Sequence, residues 1–147
     1  MADVIDELQA WLDDNWDPDL TVAEWWQRLG LAGWSAPSLP DQAFGRGLSR
    51  TDSNRVAETI SDHGALGAPG GLGLLLAAPT IAMHGSQEQI DRYVKAIVTG
   101  REAWCQLFSE PVAGSDLAGL QTKADQDGDE WVVNGQKVWT SGGHYAD

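Results

Sequence analysis

The sequence predicts an α+β protein in which helices come first and antiparallel strands second. Apolar residues recur at helical spacing between residues 4 and 97. After Gly100 the period shortens, and Asp127-Gly128 and Asn134-Gly135 punctuate short strand-like runs. A boundary is expected near residue 100, separating an all-helical domain (1–100) from the opening of an antiparallel β domain (101–147).

Val4, Ile5, Leu8, Trp11 and Leu12 form the apolar stripe of a first amphipathic helix, with Asp6, Glu7, Asp13 and Asp14 turned to water. A second helix starts at a capping box of Thr21 and Glu24, with Leu20 and Trp25 as its hydrophobic staple, and is expected to stop at Gly30. Residues 33–50 hold three glycines and two prolines and predict an extended connection. A third helix is expected over 51–63, on a stripe of Val56, Ala57 and Ile60. Residues 66–83 carry no charge and predict a buried core helix that breaks at Pro79, since proline removes a ladder donor. Its four glycines and two prolines argue against a membrane span. Ser86 and Gln89 form a second capping box, ahead of Ile90, Tyr93, Val94 and Ile97 at i, i+3, i+4 and i+7, and Gly100 closes that helix.

Residues 102–109 predict a mostly buried strand, and the two turn dipeptides predict a three-stranded meander beyond it. The last of these strands is scarcely finished at Asp147, which leaves a sheet edge open. More polypeptide is expected to complete it.

Composition narrows the function classes. Twenty-two acidic residues against nine basic ones give a net charge of −13, which repels nucleic acid and anionic membrane surfaces. Any anionic ligand is expected near Arg92, Lys95, Arg101, Lys123 or Lys137. The single cysteine, Cys105, and the lack of a leader pattern point to a reducing cytoplasmic compartment, with Cys105 as a buried structural thiol. His63, His84 and His144 have no metal-ligand spacing, so no metal is expected.

The stretch WCQLFSEPVAGSDLAGL (104–120) concentrates the chemistry. Gly114 lets a ligand approach the backbone, Ser115 offers a hydroxyl, and successive turn amides can form an anion nest. Ser109 stands at the expected strand end as a polar orienting group. Glu110 and Asp116 have the look of an acid/base pair, but turn carboxylates more often bind local backbone amides.

The order of the motifs adds a resemblance. A helix opening on G-S-Q-E-Q, then WCQLFSEPVAGSD, then NGQKVWTS resembles the middle of acyl-CoA dehydrogenases, and GWSAPSLP and FGRGLS extend the similarity upstream. The resemblance implies a helical N-terminal domain, a central β-barrel-like domain entered but not completed here, and a C-terminal helical bundle. It implies FAD as cofactor, with Gln106, Leu107, Phe108 and Ser109 along the isoalloxazine. Gly114 and Ser115 fall at the pyrophosphate, with Ser115 also near the CoA arm. Trp139 packs on the flavin, and Thr140 and Ser141 reach toward N5. Core packing is the plain alternative for Trp139, and it is the reading kept for Trp104, Trp131 and the tryptophans at 11, 16, 25, 26 and 34. Val112 stands where glycine is common in the family, so strain is expected if that position needs positive φ.

The implied reaction is α,β-dehydrogenation of an acyl-CoA or acyl-carrier thioester, with an electron-transfer flavoprotein as acceptor and a homo- or hetero-oligomeric assembly. The family's base, usually a glutamate of the C-terminal bundle, matches no residue here, and Glu102, Glu110 and Glu130 do not fill the role. The expectation is an inactive N-terminal piece of such an enzyme. The alternative is a non-catalytic partner subunit that lends its strands to a partner, and a plain helical scaffold is remote from the motif order.

Overall fold

A computed structural model describes residues 3–147, with helices followed by one pair of antiparallel strands. The chain divides into two units, one running to Trp104 and also counting Asp147, the other Cys105–Ala146.

In the helical unit, α1 (Val4–Asn15) begins where the Asp3 carboxylate accepts the Ile5 amide, and it buries Leu8 and Leu12. The expected capping box starts α2 (Val22–Leu31): the Thr21 hydroxyl accepts the Glu24 amide, and Glu24 accepts the Thr21 amide at 3.0 Å. Ser49 caps α3 (Arg50–Asp62), which buries Val56 and Ile60. Leu8, Leu12, Trp25, Leu29, Trp34, Val56 and Ile60 form one core cluster. The Trp25 and Trp26 indoles add polar ties, donating to the carbonyls of Leu66 and Gly67. A second cluster joins Leu39, Ala43 and Ala78 to Ile90, Val94, Ile97 and Val98.

Several expectations need correction. Gly30 does not end α2. A Cβ there would lie 2.5 Å from the Val98 carbonyl oxygen, so Gly30 is the point of close approach between two helices. The left-handed residue after α2 is Gly33, at φ +80. The 33–50 connection is extended only in part: it folds into a short 3₁₀ turn, Asp41–Ala43, followed by Phe44 at φ 58. Ala57 is exposed and takes no part in the α3 stripe.

The apolar 66–83 stretch is not a buried helix broken at Pro79. Helix α4 (73–84) opens with a π turn, Gly73–Ala77, and continues as Ala78–His84. The wide turn hands the Ala78 amide to the Gly73 carbonyl. Pro79 then falls in the first turn of the α-helical part, where no donor is required of it. The helix is two-sided: Gly73 and Ala78 are buried, whereas Leu75 and Met83 are more than 70% exposed.

Helix α5 (87–98) begins at the expected Ser86 and Gln89 capping box and contains a second π turn, Ile90–Val94. The wider turn advances the buried face by one position. Ile90, Val94, Ile97 and Val98 are buried, and Tyr93 instead stands edge-on to Trp104, with ring centroids 5.8 Å apart. Gly100 closes α5 at φ +64, as expected.

In the second unit, β1 (Lys123–Asp127) pairs antiparallel with β2 (Glu130–Asn134) in a register that sets Asp127 opposite Glu130. Gly128, at φ +64, begins the two-residue turn between them. The expected three-stranded meander is therefore a two-stranded hairpin. Asn134-Gly135 makes no second hairpin turn: Gly135 lacks positive φ, and it is needed because a Cβ there would lie 2.1 Å from Thr122 Oγ1. Residues 102–109 form no strand among the described residues, because they find no ladder partner, and Cys105 is half-buried rather than buried. Trp131 is exposed on the hairpin and does not belong to a core.

Candidate functional site

The second unit is organised by one carboxylate. Residues 103–109, outside any helix or strand, lead into Glu110, which is buried at 6% exposure beside the tight Pro111-Val112 turn. The Glu110 amide donates to the Ala113 carbonyl at 2.8 Å, and the Ala113 amide donates back at 3.2 Å. The carboxylate accepts the Gln121 amide at 2.7 Å, the Thr122 amide at 2.9 Å and Lys137 Nζ at 2.8 Å. Lys137 Nζ also donates to the Phe108 carbonyl at 2.9 Å, and the Val138 amide donates to the Ser109 carbonyl at 2.9 Å. Three segments distant in sequence, 108–113, 121–122 and 137–138, meet at this point.

Glu110 is consequently a structural acceptor. The Lys137 ammonium holds its pKa down to about 2, assisted by the Thr122 hydroxyl, which lies near without completing a hydrogen bond, and by the Gln121 amide. A carboxylate so committed is a poor proton acceptor at neutral pH. Asp116 does not pair with it: Asp116 is exposed and precedes a 3₁₀ turn, Leu117–Gly119, without capping it. The acid/base reading of these two residues fails for that reason. Sequence reasoning kept Lys137 only as a possible anion contact and missed its bond to Glu110. The two residues stand 27 apart, and no local pattern in the sequence links them.

The residues expected to line a cofactor fall around this frame. Gln106 and Ser109 are half-buried, while Leu107 and Phe108 are more than half exposed. Gly114 and Ser115 follow the bridged Ala113 as exposed bends, and a Cβ on Gly114 would meet nothing within 4 Å. Val112 is exposed and is not among the positive-φ residues, so the strain expected there is absent. Trp139 carries the unusual backbone instead, with φ 58 and a side chain 91% exposed. Core packing does not explain it. Thr140 is half-buried, Ser141 is exposed, and the Gly143 amide donates back to the Thr140 carbonyl at 3.2 Å.

The bond from Val138 to Ser109 and the bond from Lys137 to Phe108 set the 106–109 run beside the 137–141 run. Exposed apolar side chains therefore accompany three hydroxyls, those of Ser109, Thr140 and Ser141, on one framework. This donor set suits a flat aromatic ring system with a polar edge, since exposed Leu107, Phe108 and Trp139 offer faces and the serines and Thr140 offer hydroxyls. The open space at Gly114 suits close approach of a charged group to the backbone. The residues present fit FAD.

Comparison with known proteins agrees across the chain. The family model described as acyl-CoA dehydrogenase, N-terminal domain, matches residues 2–101, and that described as acyl-CoA dehydrogenase, middle domain, matches residues 105–147. Acyl-CoA dehydrogenase IpdE1 of Mycobacterium tuberculosis is 42% identical over 120 residues, which cover 82% of this chain and 31% of that protein. Among solved structures, the ChsE4-ChsE5 complex of Mycobacterium tuberculosis matches at a TM-score of 0.67 and 34% identity, covering 97% of this chain and 39% of that one. A structure described as the Tcur3481-Tcur3483 steroid ACAD matches at a TM-score of 0.66 and 29% identity, over 98% and 40% of the two chains. The chain thus spans well under half the length of these relatives.

Proposed function

The chain belongs to the acyl-CoA dehydrogenase family, and from that premise we propose that it forms the flavin-facing part of an enzyme that introduces an α,β double bond into an acyl-CoA or acyl-carrier thioester. In this reading residues 1–100 are the helical domain and 101–147 open the central β domain. FAD, when bound, supplies the hydride acceptor for the β carbon. The chain's own contribution is to bind and orient. Phe108 and Trp139 offer apolar faces, Gln106, Leu107, Ser109, Thr140 and Ser141 border the ring, and Gly114 and Ser115 receive the pyrophosphate, with Ser115 also facing the CoA arm. The observation that carries this is the joining of the two cofactor segments through Val138 and Ser109, with Trp139 displayed beside the bond instead of buried.

No residue of this chain is assigned as the base. Glu110 is tied by Lys137 and two amides, Glu102 is bonded to Arg92, and Glu130 lies on an exposed strand. The proton-abstracting carboxylate is proposed to come from polypeptide outside these 147 residues, and an electron-transfer flavoprotein is proposed to reoxidise the cofactor. A bulky acyl group is favoured by the relative described as a steroid ACAD.

Titrating the purified chain with FAD tests the binding role. Saturable quenching of flavin fluorescence, weakened by Trp139→Ala, supports it; no saturable quenching by the unaltered chain overturns it, and equal binding by the two proteins removes Trp139 from the site. With an artificial electron acceptor, the chain alone is expected to oxidise no acyl-CoA.

A second reading, a subunit that works inside a mixed assembly, is favoured by the two structural relatives described as pairs, ChsE4-ChsE5 and Tcur3481-Tcur3483. Gel filtration with candidate partner chains separates the readings, because only a partner subunit forms a complex of defined stoichiometry.

A further inference from the structure

The helical unit contains a groove that the proposed function does not use. Its volume is about 360 Å³, and its walls are Gln27 and Leu31 of α2, Arg92, Lys95 and Ala96 of α5, and the Thr99–Glu102 region beyond α5. Three of the chain's nine basic residues line it, against one acid, Glu102, in a protein of net charge −13. The local field is therefore opposite in sign to that of the chain as a whole.

One plain account of Lys95 and Arg101 is that they neutralise the carbonyl end of α5. The hydrogen bonds show that those carbonyls do not need a cationic head as donor. The carbonyls there are already taken: Lys95 O accepts the Thr99 amide and hydroxyl, Ala96 O accepts the Arg101 amide, and Ile97 O accepts the Gly100 amide. The cationic heads are left for other work. Arg92 spends one N–H on Glu102 at 2.5 Å, and Arg101 spends one on Gln27 Oε1 at 2.5 Å. Each guanidinium has five N–H donors, so both retain donors and are held in place by the bonds they make. Among the described residues Lys95 Nζ makes no hydrogen bond or ion pair.

We propose that this groove is a binding site for a phosphate dianion, either free phosphate or the head of a phosphate monoester. Two anchored guanidiniums supply directional N–H donors for tetrahedral oxygens, and Lys95 adds a mobile point charge. With Glu102 counted, the lining charge matches a ligand of charge −2. A volume of this size suits a small ligand, not a macromolecular surface.

The test uses the full chain, observed by amide NMR at constant ionic strength, with inorganic phosphate, glycerol 2-phosphate, acetate and chloride as probes. Phosphate is expected to shift the Gln27, Lys95, Arg101 and Glu102 signals saturably. Binding is expected to weaken at least about threefold at pH 5.5, where the second phosphate proton returns. Equal binding of glycerol 2-phosphate identifies a monoester head as the ligand, and its failure to bind identifies free phosphate. Lys95→Gln, which breaks no bond within the described residues, is expected to lower affinity at least about threefold. Shifts that grow linearly, that acetate or chloride reproduces, or that Lys95→Gln leaves unaltered would overturn the site.

Discussion

Lys137 Nζ lies 2.8 Å from Glu110 Oε1, and both side chains are largely withdrawn from water, at 18% and 3% exposure. The ammonium keeps the Glu110 pKa near 2, below its ordinary 4.5. A depressed folded-state pKa stabilises the fold fully above the unfolded value and loses that contribution as pH falls through the folded one. The second unit should therefore loosen between about pH 4.5 and 2. NMR titration of the Gln121 and Thr122 amides should show a midpoint near 2, and Lys137→Met should raise it toward 4.5. A wild-type midpoint near 4.5 would mean that the pair does not form.

Gly30 and Val98 give a separate prediction about helix packing. The 2.5 Å separation between a Gly30 Cβ and the Val98 carbonyl means that Gly30→Ala must push α2 off α5, at a cost of about 1–3 kcal/mol. Gly67 has nothing within 4 Å, so Gly67→Ala should lose no stability. Urea unfolding of both variants checks the contrast, and equal midpoints would refute the close approach.

These two sites also mark where sequence reading succeeds and fails. Capping boxes at Thr21 and Ser86 depend on residues three apart, and periodicity identifies Leu8, Leu12 and Ile90, so the helical unit was largely readable. Gly30 resembles a helix stop because its real constraint is a carbonyl 68 positions away. The strand expected at 102–109 had the right composition, but a strand needs a ladder partner, and sequence pattern cannot supply one. The acyl-CoA dehydrogenase resemblance was visible through motif order. The Glu110 to Lys137 bond was not, since nothing local distinguishes it from two solvated charges. At α4, Pro79 looked like a break because a π turn has no reliable local signature.

Arg46 shows how a connecting segment is fastened. Its guanidinium lies 3.7 Å from the Trp34 ring centroid, donates to the Ala32 carbonyl at 2.9 Å and pairs with Glu7. A lysine keeps the charge but cannot stack and fork together, so Arg46→Lys should cost about 1–2 kcal/mol. Glu7 is more exposed, and Glu7→Gln should cost less than about 1 kcal/mol. Denaturant midpoints of the two variants measure the difference, and a loss in Arg46→Lys no larger than in Glu7→Gln would refute the stabilising role of the stacked, forked guanidinium.

Trp139 permits a test that separates fold from function. An L-residue at φ 58 carries a steric cost of about 1–2 kcal/mol that glycine escapes, and a side chain 91% exposed contributes little packing in return. Trp139→Gly should therefore leave the unfolding midpoint unchanged or raise it. A tryptophan packed in the core would behave oppositely, losing about 3–5 kcal/mol on truncation. If the exposed indole serves as a flavin face, the same variant should bind FAD about tenfold more weakly, since one aromatic contact is worth roughly 1 kcal/mol or more. Retained stability with weakened FAD binding assigns the strained backbone to cofactor recognition. Retained stability with unaltered FAD binding removes Trp139 from the site.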